Sequence, residues 1–296
     1  MSETNKGYLY LLISGVFWGS AGVFLTLLSN RGLGSNQVAF FNLGGAALFL
    51  FFNVLIRHGF SAFRLTRVSL PRLILTGFIS EFLYDICYIN SVRSVGVGVA
   101  AVLLYTSPIF TVLLARICFK EKITGQKVIA IALNIIGCVL AITGGNLSFE
   151  GLSALGVVLG IASGFIYGWV AILGKYNTSD THPDVVTFYN FFFGFLFMCL
   201  LSRPWTFAAG TFRPSLILLG ICCGTFGSGL PYLFFMQGMK RPVEAGKAPV
   251  FASLEPVVAM ILGAVLFSES VNAVSFIGVI IIIVSIVIIN GNKKTD

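Results

Sequence analysis

Residues 244–270 read EAGKAPVFASLEPVVAMILGAVLFSES, an apolar stretch that is interrupted by Lys247 and by the pair Glu255 and Pro256. The stretch is long enough to cross a bilayer, whose hydrocarbon core takes about 20 residues of helix. A carboxylate at the centre of a membrane is costly, so such a residue is usually functional or tightly partnered. Pro256 removes a backbone donor, and this predicts a kink beside the carboxylate.

The same pattern occurs 148 residues earlier, in residues 96–122. Pro108 corresponds to Pro256 in this register, whereas Ser107 stands where Glu255 stands. Because 148 is half of the 296 residues, the chain is predicted to use one module twice. The two predicted modules are residues 1–148 and residues 149–296. The prolines then belong to the shared architecture, and the central carboxylate belongs to the second copy alone.

Glycine-containing segments support the repeat. SGVFWG at residues 14–19 matches SGFIYG at residues 163–168, at an offset of 149. Glycines four residues apart let helices approach closely, so both segments are predicted to pack tightly against a neighbour. A further glycine-rich cluster, residues 224–231, is predicted to loosen the eighth helix where that helix lines a central pathway.

The composition excludes a soluble fold. The chain is 57% hydrophobic and only 10% charged, whereas soluble domains carry about 25% charged residues. These values predict an all-α membrane protein that crosses the bilayer several times. The net charge of +8 does not indicate nucleic-acid binding, because the basic residues lie in loops between apolar runs rather than in one patch.

Ten apolar runs have the length of a membrane-spanning helix. They cover residues 8–28, 37–56, 71–91, 96–117, 126–144, 152–174, 184–202, 214–238, 244–267 and 272–290. One side of the predicted membrane carries 15 of the 19 Lys and Arg residues, and the other side carries four. Because the basic loops of membrane proteins face the cytoplasm, we predict a multi-pass protein of the cell membrane with both termini in the cytoplasm.

Each predicted module holds five of the ten helices. Five is an odd number, so the second module is predicted to enter the membrane upside down relative to the first. Inverted repeats of this kind are typical of secondary transporters, whose binding site lies between the repeats near the middle of the membrane.

The sequence resembles the EamA branch of the drug/metabolite transporter superfamily over essentially the whole chain. The motifs that carry the resemblance are SGVFWG in the first helix, LEP at 254–256 and FSE at 267–269 in the ninth, and SP at 107–108 and FKE at 119–121 in the fourth. The resemblance implies a central cavity lined by helices of both halves. It also implies transport of a small organic metabolite such as an amino acid, often outward, by alternating access.

Four polar side chains of the third helix share one face, because they are spaced i, i+3, i+4 and i+7. They are Glu81, Tyr84, Asp85 and Tyr88. Counting about 1.5 Å per residue places Glu81 and Glu255 at a similar depth near the middle of the membrane. Two carboxylates there could hold the ammonium group of a substrate or carry a proton. The alternative is that a Ser, Asn or Lys partners each carboxylate, and that the pairs only lock helix packing.

The predicted substrate-binding set adds aromatic side chains that fall well inside the spans, because a cavity for a small metabolite uses rings beside a few polar groups. The set is Trp18, Glu81, Tyr84, Asp85, Tyr88, Tyr105, Tyr232 and Glu255. Lys247 is predicted to reach the membrane interface or else to meet a substrate carboxylate at the inner mouth. The expected partners are a small-molecule substrate and the lipid bilayer, with proton coupling open and the protein a monomer or a homodimer.

Neither a cofactor nor a metal site is predicted, and the protein is not expected to be an enzyme. His58 and His182 lie in separate predicted loops, and the six cysteines lie in apolar runs without metal-ligand spacing. Two alternatives stay open. A membrane-embedded enzyme would use an acidic metal cluster or an interfacial catalytic set, and a sensor on the same helical bundle would use a soluble signalling segment, but neither feature is visible.

Overall fold

The computed structural model describes residues 1–146, 153–268 and 271–291. Three features of the sequence prediction lie outside these residues: the module boundary at 148 and 149, the first residue of the sixth predicted span at 152, and Glu269.

The described part of the chain forms ten helices of membrane-spanning length, and each predicted span overlaps one of them. They are α1 (Glu3–Ser29), α2 (Ser35–His58), α3 (Ser69–Val95), α4 (Val97–Phe119), α5 (Gly125–Thr143), α6 (Ala154–Asn177), α7 (Pro183–Ser202), α8 (Pro214–Met239), α9 (Ala245–Phe267) and α10 (Ala273–Asn290). The predicted all-α fold with ten spans is confirmed. We call the face where α1 begins and α10 ends the terminal face, and the opposite one the distal face.

The fourth and ninth helices are broken at equivalent positions. The break in α4 falls at Tyr105 and Thr106, between segments Val97–Leu104 and Ser107–Phe119. The break in α9 falls at residues 253–254, before the segment Glu255–Phe267. Each proline lies in the first turn after its break, where a missing N–H leaves no helical bond unmade. The predicted kink is therefore confirmed, and both copies contain it.

The third and eighth helices share a different irregularity, a widened π-helical turn. It covers Phe78–Leu83 in α3 and Cys223–Gly229 in α8. The glycine cluster of the eighth helix predicted a loosened backbone there, and this prediction is confirmed. Nothing in the sequence predicted the turn in α3. Turns of this type occur mostly as single bulges inside α-helices, frequently at functional sites.

The helix ends repeat the same correspondence. Lys120 and Ser268, 148 residues apart, both end their helices with a left-handed backbone at φ 56°. Thr124 and Asn272 then cap the next helices, α5 and α10, by accepting a backbone N–H with their side chains. The two copies thus agree in breaks, π turns and caps, which supports a duplicated five-helix unit.

The two copies interlock instead of lying side by side. α1 packs against α8 and α9, and α6 packs against α3 and α4 in the equivalent way. α2 packs against α7, and α5 packs against α10. Because each of these contacts joins helices of different copies, neither five-helix unit completes its core alone.

Glycines allow the closest of these approaches, as the sequence predicted. A Cβ on Gly19 of α1 would lie 2.8 Å from the carbonyl oxygen of Glu255, and one on Gly164 of α6 would lie 2.9 Å from that of Leu103. The backbones of the broken helices therefore lie directly against α1 and α6, where a side chain would not fit.

Candidate functional site

The carboxylate of Glu255 lies at the break of α9, where it begins the second helical segment. The partial positive charge of a helix N-terminus stabilises an acidic side chain at this position. The hydroxyl of Tyr105, at the equivalent break of α4, faces this carboxylate. Tyr88 and Tyr167 also interact with it electrostatically. The two breaks therefore meet around one acidic group.

Two more carboxylates come from α3. Glu81 lies in the π turn and is 4% exposed, and its Oε1 is buried without a hydrogen-bond partner. Asp85 lies one turn further along and interacts electrostatically with Glu81. A Cβ on Gly194 of α7 would lie 2.5 Å from the Cβ of Glu81, so α7 packs directly against this residue. The alternative, a hydrogen bond or ion pair from a Ser, Asn or Lys side chain, is therefore wrong for Oε1 of Glu81.

Aromatic rings from both copies surround the acids. Tyr84 stacks on Tyr88 with ring centroids 5.8 Å apart, and it lies 5.7 Å from the ring of Tyr167. Trp18 meets the ring of Tyr232 edge-on at 5.1 Å and that of Tyr167 at 6.2 Å. Edge-on and offset-stacked rings at such distances attract one another. The rings of α1, α3, α6 and α8 thus form one continuous group.

We call this whole group the acidic aromatic centre. It consists of Trp18, Glu81, Tyr84, Asp85, Tyr88, Tyr105, Tyr167, Tyr232 and Glu255. All eight residues predicted from the sequence lie in it, together with Tyr167.

The acidic aromatic centre has two layers. Trp18, Glu81 and Tyr232 are buried, at 8%, 4% and 5% exposure. The remaining six residues are partly accessible: Tyr84, Asp85, Tyr88, Tyr105, Tyr167 and Glu255. The six residues form the accessible layer of the centre, and the three buried residues form its buried layer.

Tyr167 was absent from the predicted site, although a signal for it was present. It corresponds to Trp18 in the repeated SGxxWG and SGxxYG segments. The repeat therefore indicates Tyr167 as the counterpart, in the second copy, of the predicted site residue Trp18.

Asn134 of α5 positions the break of α9. Its amide nitrogen donates to the hydroxyls of Ser253 at 2.5 Å and Ser285 at 3.2 Å, and all three side chains are buried. Ser253 in turn donates to the carbonyl oxygen of Val250 at 2.6 Å. Because these side chains are buried and hydrogen-bonded to one another, the network holds the unwound residues beside Glu255 in one arrangement.

The acidic aromatic centre contains three carboxyl groups and no basic side chain. Within the described ranges, no Lys, Arg or His side chain interacts with the carboxylates of Glu81, Asp85 or Glu255. Buried charges are usually paired, because isolation in a low dielectric is costly. Such a site can accept a positively charged group or a proton.

A network of ion pairs closes the terminal face between the end of α4 and the start of α9. Glu121 accepts the N–H groups of Ala245 at 2.7 Å and Gly246 at 3.1 Å. Its carboxylate also lies 3.3 Å from the ammonium group of Lys175 and 3.7 Å from that of Lys127. The carboxylate thus pins the first turn of α9 to the end of α4.

Lys247 belongs to the same network. It is 9% exposed, and its ammonium group lies 2.8 Å from the carboxylate of Glu244, which also pairs with Lys127. Burial opposes ionisation of Glu244, but hydrogen bonds from Lys127 and Lys247 outweigh burial and lower the pKa of this carboxyl. The structure places Lys247 at the terminal face in this network, and its predicted interfacial position or substrate contact stays a prediction.

A second polar cluster lies at the terminal face, away from the acidic aromatic centre. His58, His182 and Asp184 come together there, with one possible ligand atom of each within 4.8 Å of the others. The sequence placed the two histidines in separate loops, and the structure brings them together beside Asp184, while the expectation of no metal site stays a prediction.

The surface of the described chain includes a cleft of about 220 Å³ at the distal face among α2, α3 and α7, where Asn36, Asn90 and Arg93 line it. Another cleft, of about 370 Å³, lies at the terminal face and is lined by Lys175, Lys240 and Arg241 among others. Neither of these clefts is lined by the acidic aromatic centre.

The ten helices and the duplicated broken and π-bulged elements, which meet at the acidic aromatic centre, define a membrane transporter built from two repeats. A model of the EamA-like transporter family matches residues 5–143 and again residues 154–291. The chain therefore belongs to the EamA-like transporter family, and the two matches agree with the two structural repeats.

Relatives in archaea and bacteria are similar over most of their length. An uncharacterized transporter of Archaeoglobus fulgidus is 29% identical over 276 residues, 92% of this chain and 96% of that protein. The uncharacterized inner membrane transporter YicL of Salmonella typhimurium is 24% identical over 99% of this chain and 98% of its own. A protein of known crystal structure superposes with a TM-score of 0.83 over 96% of both chains at 15% identity, which shows a shared fold.

Proposed function

We propose that this member of the EamA-like transporter family is a secondary transporter that exports an amino acid or a related compound by alternating access. The observation that carries the proposal is the acidic composition of the acidic aromatic centre. Glu81 and Asp85 lie at the π turn of α3 and just after it, Glu255 lies at the break of α9, and no cationic side chain of the described chain accompanies them. A substrate ammonium group would supply the missing charge.

The accessible residues of the acidic aromatic centre would offer a partner for each part of an amino acid. Asp85 and Glu255 would receive the ammonium group, with the faces of the tyrosine rings adding cation–π attraction. Tyr105, at the break of α4, is partly accessible, and its hydroxyl would donate to the substrate carboxylate. The rings would also cover an apolar side chain.

One observation favours a second candidate, an amine without a carboxylate. The centre has no Lys, Arg or His in the described residues, so a substrate carboxylate would find only N–H and hydroxyl donors. Paired ligands that differ only in the carboxylate separate the two candidates.

The proposed orientation places the terminal face in the cytoplasm, as the Lys and Arg count predicts. The modules 1–148 and 149–296 are then the two inverted halves. Because the halves interlock, the moving bodies that we propose are α1 with α8 and α9 on one side and α3 with α4 and α6 on the other. Opening of the terminal face would break the Glu121 contacts and admit substrate.

The first test is a thermal-shift screen of the purified protein against amino acids and their decarboxylated amines. A ligand that binds only the folded state at 100 times its Kd adds about 2.7 kcal/mol of apparent stability. We expect an amino acid to raise the Tm and the matching amine to do so less. The reverse order would select the second candidate, and no shift from any amine-bearing compound would contradict the proposed substrate class.

The second test measures transport in proteoliposomes with Glu255→Gln. We expect roughly a 100-fold loss, because a charge-assisted contact with the ammonium group would be lost. Glu3→Gln, which changes an exposed carboxylate at the terminal face, is the matched control and should transport normally. Unchanged transport and unchanged pH dependence in Glu255→Gln would reject the site, and a pH gradient across the vesicles distinguishes proton exchange from uniport.

A further inference from the structure

His58, His182 and Asp184 converge where α2 ends and α7 begins. His58 is the last residue of α2, His182 caps the N-terminus of α7, and Asp184 lies in its first turn. Nε2 of His58 lies 2.9 Å from Oδ2 of Asp184, and Nδ1 of His182 lies 3.9 Å from Oδ1. The two imidazole rings are 4.2 Å apart between centroids.

These separations fit a bound metal ion. A tetrahedral zinc ion with bonds of about 2.0 Å separates its ligand atoms by roughly 3.3 Å. The distances of 2.9 Å to Oδ2 and 3.9 Å to Oδ1 of Asp184 lie on either side of this value, and one possible ligand atom of each residue lies within 4.8 Å of the others. Small rotations of the two rings would bring three donors to one ion.

Nδ1 of His182 accepts the backbone N–H of Asp184 at 3.3 Å, so this nitrogen carries no proton and its lone pair points toward Asp184. An ion bound at Nδ1 would replace this hydrogen bond.

The carboxylate of Asp184 is held in place by a second layer of contacts. The amide nitrogen of Gln237 donates to Oδ1 at 2.8 Å, and that of Asn53 donates to Oδ2 at 3.4 Å. The carboxylate itself is only 3% exposed. Partners that orient a ligating carboxylate are a regular part of metal sites in proteins.

The site is open to solvent on one side. The side chain of His182 is 48% exposed and that of His58 is 28% exposed. An ion can therefore enter from water and keep at least one position for a water ligand.

We propose that His58, His182 and Asp184 bind a divalent transition-metal ion of the zinc type. Two imidazoles and one carboxylate suit zinc, cobalt or nickel, whereas calcium and magnesium prefer oxygen ligands alone. The ion joins α2 to α7 and, through Gln237, to α8 at the terminal face. Its effect on transport rests on the proposed function: an ion that ties these helices together slows the opening of this face.

Binding is tested by titrating the purified full-length chain, carrying an affinity tag without histidines, with Zn²⁺ and Co²⁺. We expect one ion per chain by calorimetry and the strong visible absorption of tetrahedral Co²⁺. The ligand variants are His182→Asn, which keeps a side-chain acceptor at the N-cap, and His58→Gln, which keeps an amide donor to Asp184. Each should weaken binding by at least about tenfold, since even second-layer changes cost 10–100-fold in metal affinity.

Cys118→Ser is the matched control, because Cys118 is an exposed free thiol that could bind the same ions. It should bind as tightly as the wild type. Absence of binding in the wild type, equal binding in the two histidine variants, or loss of binding in Cys118→Ser would each overturn the site.

Transport in proteoliposomes is a separate readout. We expect Zn²⁺ to slow the wild type and to leave His182→Asn unaffected. Binding without any change in the transport rate would overturn the regulatory part of the proposal. Failure of the proposed function would instead appear as no transport at any ion concentration, with the calorimetric result unchanged.

Discussion

The broken helices α4 and α9 have the same design and different chemistry. Both unwind over two residues, both resume with a proline in the first turn, and both end at a left-handed residue. At the first position after the break, α4 has Ser107 and α9 has Glu255. Ser107 is 2% exposed, whereas Glu255 is partly accessible. Duplication thus preserved the backbone, and the carboxylate was placed where one copy leaves room for it.

The largest expected effect comes from making α4 resemble α9. Ser107→Glu places a longer, charged side chain in a buried position, which combines overpacking of about 1–3 kcal/mol with an unpaired charge. We expect a loss of roughly 3–5 kcal/mol in stability, measured as a fall in the Tm of the purified protein. Ser107→Ala, the control, should change stability by about 1 kcal/mol or less. A Ser107→Glu protein as stable as the wild type would show that packing does not exclude a carboxylate from α4.

Two smaller losses of stability should show whether α1 packs more tightly against the broken helix α9 than α6 packs against the broken helix α4. A Cβ on Gly19 would lie 2.5 Å from the Cβ of Val258 in α9, whereas one on Gly168 would lie 3.0 Å from the Cβ of Phe110 in α4. We expect Gly19→Ala to cost about 2–3 kcal/mol and Gly168→Ala about 1 kcal/mol, in line with overpacking of a close-packed interior. The readout is again the Tm.

The matched control for these glycines is Gly22→Ala. A Cβ there meets no atom within 4 Å. Alanine is the better helix former by up to about 1 kcal/mol, so this variant should be neutral or slightly more stable. Equal losses in Gly19→Ala and Gly168→Ala would mean that α1 and α6 hold the two breaks equally tightly.

The smallest effect concerns the starts of the two helices. α9 is preceded by Glu244 with its two lysines, whereas the equivalent residue before α4 is Gly96, which has no titratable side chain. Because the pKa of Glu244 lies below its ordinary value of 4.5 when folded, its stabilising effect is present above pH 4.5 and is lost as the pH falls through the folded value. The side chain is 41% exposed, so solvent screening keeps this effect small.

Comparison of the wild type with Glu244→Gln tests the direction of this pH dependence of stability. The Tm difference between the two proteins should be present at neutral pH and should shrink as the solution is acidified below pH 4.5. A difference that stays constant across this range would show that the charge of Glu244 contributes nothing to the start of α9.

The acidic aromatic centre shows where prediction from sequence succeeds and where it stops. Helical spacing placed Glu81, Tyr84, Asp85 and Tyr88 on one face, and all four belong to the acidic aromatic centre. Tyr84, Asp85 and Tyr88 are partly accessible, whereas Glu81 is buried against α7. Glu81 lies in the π turn at Phe78–Leu83, which helical spacing did not predict.

The sequence by itself determined the ten spans and the repeat, because the bilayer requires long apolar helices and the offset of 148 residues is visible in the residues themselves. It also determined that carboxylates lie deep in the bundle. Only the tertiary structure decided that the two copies interlock and that the acids have no cationic partner in the described chain. It alone joined His58 to Asp184, which are 126 residues apart. Such contacts depend on which helix faces meet, and periodicity along one helix does not contain that information.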